Sequence, residues 1–390
     1  MKYDFDKIVN RRDTQSLKWD VGENELPMWV ADMDFESCPA VRESLELKVA
    51  QGIYGYSIIP EEWSKAYVDW WKNEHDFEIP SDKLAFSTGV IPVISSAVRR
   101  LTRPNENVVI QTPVYNIFQN SIVNNGARVL ENPLRYDKEG GDFEMDFEDL
   151  EAKLALPQTT LLILCNPQNP AGKIWSRPIL AKIGALCKKH QVNVICDEIH
   201  CDIVEPGKKY VPFASVSQDC RDVSITCIAP TKAFNIAGLQ TAAFYSFNQR
   251  LFNIVNRGIN TDEVAEGNVF AVDAAIAAFT KGKEWLCELN MYIQKNKEIA
   301  ASFIEQQIPA LKITRTDATY LLWVDVSDVC KDSEVFCAFA RSKTGLYISN
   351  GSQYGSLSKG FVRINVACPA TVLQDGLERL KKTVELLMEK

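Results

Sequence analysis

The chain has 390 residues, 46% hydrophobic and 24% charged, with a formal net charge of -8. This is the balance of a globular protein with room for two or three domains, and its acidity argues against a nucleic-acid partner held through phosphates. No run nears the ~18 apolar residues of a membrane helix, so no membrane partner is expected.

At the N-terminus, "MKYDFDKIVNRRDTQ" has no apolar region of the secretory kind. Eleven cysteines follow no framework spacing, which points to reduced thiols and a cytoplasmic location. Residues 1–45 show no alternation of strand and helix, and they are expected to join the last part of the chain. "FSTGVIPVISSAVRRL" then places a glycine turn at Gly89 before an apolar-periodic helix. Short apolar runs come next: "NVVIQTP", "TTLLILCNP", "VNVICDEIH", "DVSITCIAP" and "AAFYSF". Between the second and third, "RPILAKIGALCKKHQ" carries Ile179, Leu180, Ile183, Leu186 and Cys187 at helical spacing. Strands buried on both faces and alternating with helices predict an α/β fold, a mostly parallel sheet covered by helices. From residue 286 onward the pattern changes to a smaller α+β unit. It includes "KITRTDATYLLWVDV", "GFVRINVAC" and a closing amphipathic helix. The predicted division is therefore 1–45, 46–285 and 286–390.

In such a sheet ligands bind beyond the carboxyl ends of the strands. The polar residues at those ends are Asn166 and Asn169, Asp197 and His200, and Lys232 in "IAPTKAFNIAGLQ". A desolvated lysine has a depressed pKa and forms Schiff bases. A lysine imine and an acidic partner for the ring nitrogen are the two protein groups that bound pyridoxal phosphate calls for. Gly89, Val90 and Ile91 would offer backbone N–H groups at a helix N-terminus to its phosphate. The cluster Cys196, Asp197, Glu198, His200, Cys201 and Asp202 has neither CxxC nor HExxH spacing, and no metal is expected.

Four motifs in order carry a resemblance: "NPQNPAGKIW", "CDEIHCDIV", "APTKAFNIAGL" and "GFVRINVACP". Over essentially its whole length the chain resembles fold-type I pyridoxal-phosphate enzymes, those of the class I/II aminotransferase family. The resemblance implies that Lys232 holds the cofactor, Asp197 pairs with the pyridine nitrogen and Asn169 bonds the ring hydroxyl. It implies that Tyr115 stacks on the ring and that Arg363 grips a substrate α-carboxylate. Thr231 and His200 fall among the implied cofactor neighbours, and Ala31 and again Asn169 among the substrate neighbours. Tyr56 would reach the phosphate across a homodimer interface and serve catalysis there. Each residue also has a plainer reading: a solvated lysine, a helix-capping aspartate, a core tyrosine, a surface arginine, a simple turn at Asn169. Two positions depart from the family pattern. Ala229 and Gln240 stand where many relatives have a hydroxyl and an arginine for the phosphate.

"LPMWVADMDF", together with "DEIH" and "FNIAGL", is similar to carbon–sulfur β-lyases of the MalY/PatB type, which include cystathionine β-lyases. This implies α,β-elimination from cystathionine or another S-substituted cysteine to thiol, pyruvate and ammonia, with Lys232 as the base. An aminotransferase shares the first half of that reaction and stays open as the alternative. A third reading is a regulatory relative that binds a protein partner, with or without lyase activity. Arg11, Arg12 and Arg257 are candidates for a second substrate-side cation, and Trp70–Trp71 for core or interface.

Overall fold

The apolar runs assemble into one seven-stranded sheet in the computed structural model, which describes residues 2–389. Its strands are β1 (Leu84–Ser87), β2 (Asn107–Ile110), β3 (Arg128–Glu131), β4 (Thr159–Cys165), β5 (Asn193–Asp197), β6 (Ser224–Ile228) and β7 (Ala242–Tyr245). They lie in the order β1-β7-β6-β5-β4-β2-β3. Only β7 runs against the rest, antiparallel to both β1 and β6. The carboxyl ends of the other six therefore share one edge.

Period-two alternation divides each central strand between two cores. In β4, Leu161, Ile163 and Cys165 pack with Val93, Ile94 and Ala97 of helix Val90–Leu101. Leu162 and Leu164 face the other way, in a core with Leu180, Ile183 and Cys187 of helix Arg177–Lys189. This two-sided burial is what the near-continuous apolar runs encode. Trp70 and Trp71 are core residues, with 4% and 0% of their surface exposed.

The C-terminal part forms a four-stranded sheet from β8 (Lys312–Ile313), β9 (Leu321–Asp325), β10 (Ser349–Asn350) and β11 (Phe361–Asn365), in the order β8-β9-β11-β10. Its core unites Leu322, Val324, Val362 and Ile364 with Ile304 of helix Lys283–Gln307 and Leu373, Leu377 and Leu380 of helix Ala370–Met388. Leu26 and Met28 belong to the same core, and Leu26–Pro27 pairs in parallel with Leu346–Tyr347. Among the described residues no helix is long and apolar enough to cross a membrane.

The loop after β4 depends on a glycine. Gly172 has φ +67°, and its carbonyl accepts from the N–H groups of Asp317 and Ala318, each at 2.8 Å. An added Cβ would collide with Thr316 Oγ1 and sit 2.8 Å from the Ala318 carbonyl. Gly172→Ala combines a left-handed backbone penalty with that clash. It should destabilise the protein by roughly 2–3 kcal/mol, read as a lowered urea midpoint at unchanged slope.

Candidate active site

A cavity of about 470 Å³ opens at the shared edge of the large sheet. Asn169 follows β4 onto its wall, Asp197 closes β5 there, His200 comes just beyond, and Lys232 follows β6. Gly89, Val90 and Ile91 reach the wall at the start of the helix that follows β1. Tyr115 completes this side, while Ala31 and Arg363 arrive from the N-terminal segment and from β11. The structure thus gathers ten of the twelve residues given cofactor, substrate or catalytic roles, while Asn166, also read at a strand end, is buried off the wall and donates its Nδ2 to the Val211 carbonyl at 2.9 Å. Thr231 is buried beside Lys232 but is not on the wall. Tyr56 lies elsewhere on this chain, fully exposed in the irregular stretch before helix Glu61–His75.

The electrostatics are unusual for a protein interior. The Asp197 carboxyl is 4% exposed, and burial raises its pKa from 3.8 to about 7. Lys232 lines the opening, and desolvation, helped by the Arg363 charge, lowers its pKa from 10.5 to about 8. Its Nζ donates to the Ala31 carbonyl at 2.6 Å, and that oxygen also accepts from Tyr320 Oη at 2.9 Å. Burial, with Lys232 and Arg363 nearby, lowers His200 to about 3, so its imidazole is neutral at physiological pH. Arg363 is 5% exposed and makes no ion pair among the described residues. Its Nη1 donates to Asn169 Oδ1 at 3.2 Å and its Nη2 to the Trp29 carbonyl at 2.9 Å. Its Nε is buried without a partner, and the guanidinium lies 5.0 Å from the centre of the Tyr354 ring. A buried guanidinium without a carboxylate is costly unless an anion completes it.

Residues 29–35 hold the two sheets together at this place. Asn235, with φ +54°, donates its Nδ2 to the carbonyls of Met33 and Phe35 at 3.0 and 2.9 Å. From the other side, Asn365 donates its Nδ2 to the carbonyls of Val30 and Asp32, both at 2.6 Å. Lys18, 1% exposed, pairs with Asp34 at 2.7 Å, and Arg11 pairs with Asp32 and Asp34, each at 2.8 Å. Arg12 donates to the carbonyls of Gly22 and Glu25. Arg11, Arg12 and Arg257 are absent from the cavity wall, and Arg363 is its one guanidinium among the described residues.

Sequence reasoning missed Leu17, Trp29, Asn116, Ser349, Gln353 and Tyr354, all on the wall. Trp29 stands within "LPMWVADMDF", two residues before Ala31, so that stretch held a signal for it. The others carried no strand-end or motif signal. Ala229 is buried, and Gln240 caps a short 3₁₀ turn away from the wall.

The arrangement agrees with what the chain is similar to. The cystathionine beta-lyase PatB of Bacillus subtilis is 42% identical over 384 residues, covering 97% of this chain and 98% of that protein. Protein MalY of Escherichia coli is 31% identical, covering 97% and 98%. The crystal structure of cystalysin from Treponema denticola, which contains a pyridoxal 5'-phosphate cofactor, superposes with a TM-score of 0.95 at 31% identity, covering 99% of this chain and 100% of that one. Residues 23–380 match the family described as aminotransferase class I and II, and on that match, with a fold and a strand-edge cavity to suit it, this chain belongs to the class I and II aminotransferase family.

Proposed function

We propose that this protein is a pyridoxal-phosphate-dependent carbon–sulfur β-lyase that cleaves cystathionine or related S-substituted cysteines to thiol, pyruvate and ammonia. The observation that carries the reading is one cavity wall holding a lysine amine of depressed pKa, a buried carboxyl and an arginine without a counter-ion. The naming of PatB as a cystathionine beta-lyase supports it.

The residues present fit the cofactor. Lys232 would hold it, Asp197 would face its ring nitrogen, Asn169 its ring hydroxyl and Tyr115 its ring face. His200 is a further neighbour within the same wall. The N–H groups of Gly89, Val90 and Ile91 would meet its phosphate, since no side chain caps that helix. Once bound, the cofactor supplies an imine link to the substrate amine and an electron sink for the Cα carbanion.

The chain supplies the rest. Arg363 Nε and its neighbouring N–H groups take the α-carboxylate as a charge-assisted pair, and Asn169 and the Trp29 carbonyl keep the guanidinium in place. With a pKa lowered to about 8, Lys232 has roughly a tenth of its amine free at pH 7, far more than an ordinary lysine, and its Nζ removes the α-proton. Asp197 would ionise beside the cofactor's ring nitrogen and hold a proton on it, which is the acidic partner that ring calls for. Neutral His200 adds no competing charge. The walls at Trp29, Val30, Ile91 and Ile117 exclude water from the reacting carbon.

Among the described residues the wall carries one guanidinium, Arg363, which matches the single α-carboxylate of an S-substituted cysteine. Exposed Leu47, Ile53, Tyr54, Tyr56 and Ile58 form an apolar stretch that supports a homodimer, with Tyr56 serving a neighbour's phosphate. The division at 46 and 286 belongs to the same reading, and eleven unpaired cysteines support a cytoplasmic setting.

Cofactor-loaded protein given L-cystathionine and no keto acid should release pyruvate and free thiol together. Lys232→Ala should cut this by at least roughly a thousandfold while keeping the fold. Turnover only after a keto acid is added would instead establish the aminotransferase.

Asp197 makes a second prediction. Its pKa is about 7 in the folded cofactor-free chain, against 3.8 ordinarily. Between about pH 4 and 7 the folded chain binds a proton that the unfolded chain has lost. Its stability therefore falls as pH rises through that window, by up to about 4 kcal/mol. Urea midpoints of cofactor-free protein should show the fall, and Asp197→Asn should flatten it. An equally steep profile in the variant would contradict the assignment.

A further inference from the structure

A second cavity, of about 200 Å³, shares no lining residue with the Lys232 cavity. Its wall includes Trp70, His75, Cys201, Asp202, Cys287 and Asn290. His75 is the last residue of helix Glu61–His75, while Cys201 and Asp202 follow β5. The imidazole, the thiol and the carboxylate each offer an atom within 4.8 Å of the other two.

The Asp202 carboxylate is half satisfied. Its Oδ1 accepts from Trp70 Nε1 at 2.9 Å and lies 2.8 Å from His75 Nε2. Its Oδ2 is buried without a nitrogen or oxygen donor, on a residue only 6% exposed, and the Cys201 thiol interacts with this carboxylate. The backbone beside it is fixed, because Asn290 Nδ2 donates to the Asp202 carbonyl at 2.9 Å. A buried carboxylate oxygen left without a nitrogen or oxygen donor costs free energy that a cation can return.

We propose that His75, Cys201 and Asp202 form a site for a borderline-soft divalent cation of the zinc class. Thiolate and imidazole select zinc over magnesium or calcium, which prefer all-oxygen sets. Binding forms the sulfur–metal bond as the Cys201 thiol proton passes to solvent, with no change of oxidation state. Three protein ligands leave a fourth position toward the cavity for a water or for exposed Cys287. The Trp70 indole orients the carboxylate as metal sites require. The ion would tie the end of helix Glu61–His75 to the short segment that also carries Asp197 and His200. No sequence spacing could announce this, because the histidine comes from a distant helix.

The test uses holoenzyme freed of metal by a chelator and then dialysed against zinc or cobalt(II). One equivalent per chain should be retained, with strong visible d–d bands of four-coordinate cobalt beyond the cofactor's own absorption. Cys201→Ser and His75→Ala should each weaken binding by more than about a hundredfold, beyond the roughly 10–100-fold lost when a group merely supporting a ligand is removed. Wild-type protein should also melt at a higher temperature with zinc, a reading that needs no variant. Weak six-coordinate cobalt bands, an unchanged melting temperature at saturating zinc, or binding that survives Cys201→Ser but is lost in Cys287→Ser would overturn the proposal.

Discussion

The molecule is organised around charges that it does not itself neutralise. Asp197 and Arg363 are almost wholly buried, Lys232 borders them, and none of the three has an ion-pair partner among the described residues. Each such group costs several kcal/mol to hold in a protein interior. The shifted pKa values of Lys232 and Asp197 record that cost, each moved toward the neutral form. The fold sustains it with cores on both faces of the large sheet. The proposed cofactor, bearing an aldehyde and a basic ring nitrogen, together with the carboxylate of its substrate, would restore each missing partner. Its binding would therefore stabilise the folded chain by mass action.

Holding those groups in register requires two separate sheets to meet. The joint is residues 29–35, and it is made from backbone carbonyls met by buried amide side chains. Asn235 comes from the lysine loop and Asn365 from the arginine strand, and both donate into this segment. The Ala31 carbonyl then takes the Lys232 amine directly. Moving the segment would thus disturb the lysine and the arginine together. The Lys18–Asp34 and Arg11–Asp32 pairs oppose such movement from behind.

Much of this was legible in the sequence because strand ends in a parallel sheet converge by topology. Asn169, Asp197 and Lys232 could be placed at one edge from three apolar runs and the polar residues that close them. Arg363 could not be placed that way, since its strand belongs to the other sheet and only the resemblance gave it a role. Trp29, Gln353 and Tyr354 escaped because they sit on irregular or 3₁₀ segments, where no periodicity exists to read. The ambiguity of Trp70–Trp71 was one of burial, and only tertiary packing decides it.

The missing arginine at Gln240 has a physical consequence for the proposed cofactor. Gln240 adopts φ +53° at the end of a 3₁₀ turn and stays off the cavity wall, and Ala229 offers no hydroxyl. Pro92, in the first turn of the helix at Gly89, lacks an N–H and removes one donor. What remains among the described residues is a short row of amides, the Thr231 hydroxyl beside Lys232, and a helix dipole worth about half a charge. A phosphate dianion held so lightly would depend on the covalent hold of Lys232, on the Asp197 contact and, in the proposed homodimer, on the Tyr56 proposed to come from the neighbouring subunit. Retention of cofactor and the state of assembly would then be coupled, because dilution that separates subunits would also remove a phosphate ligand.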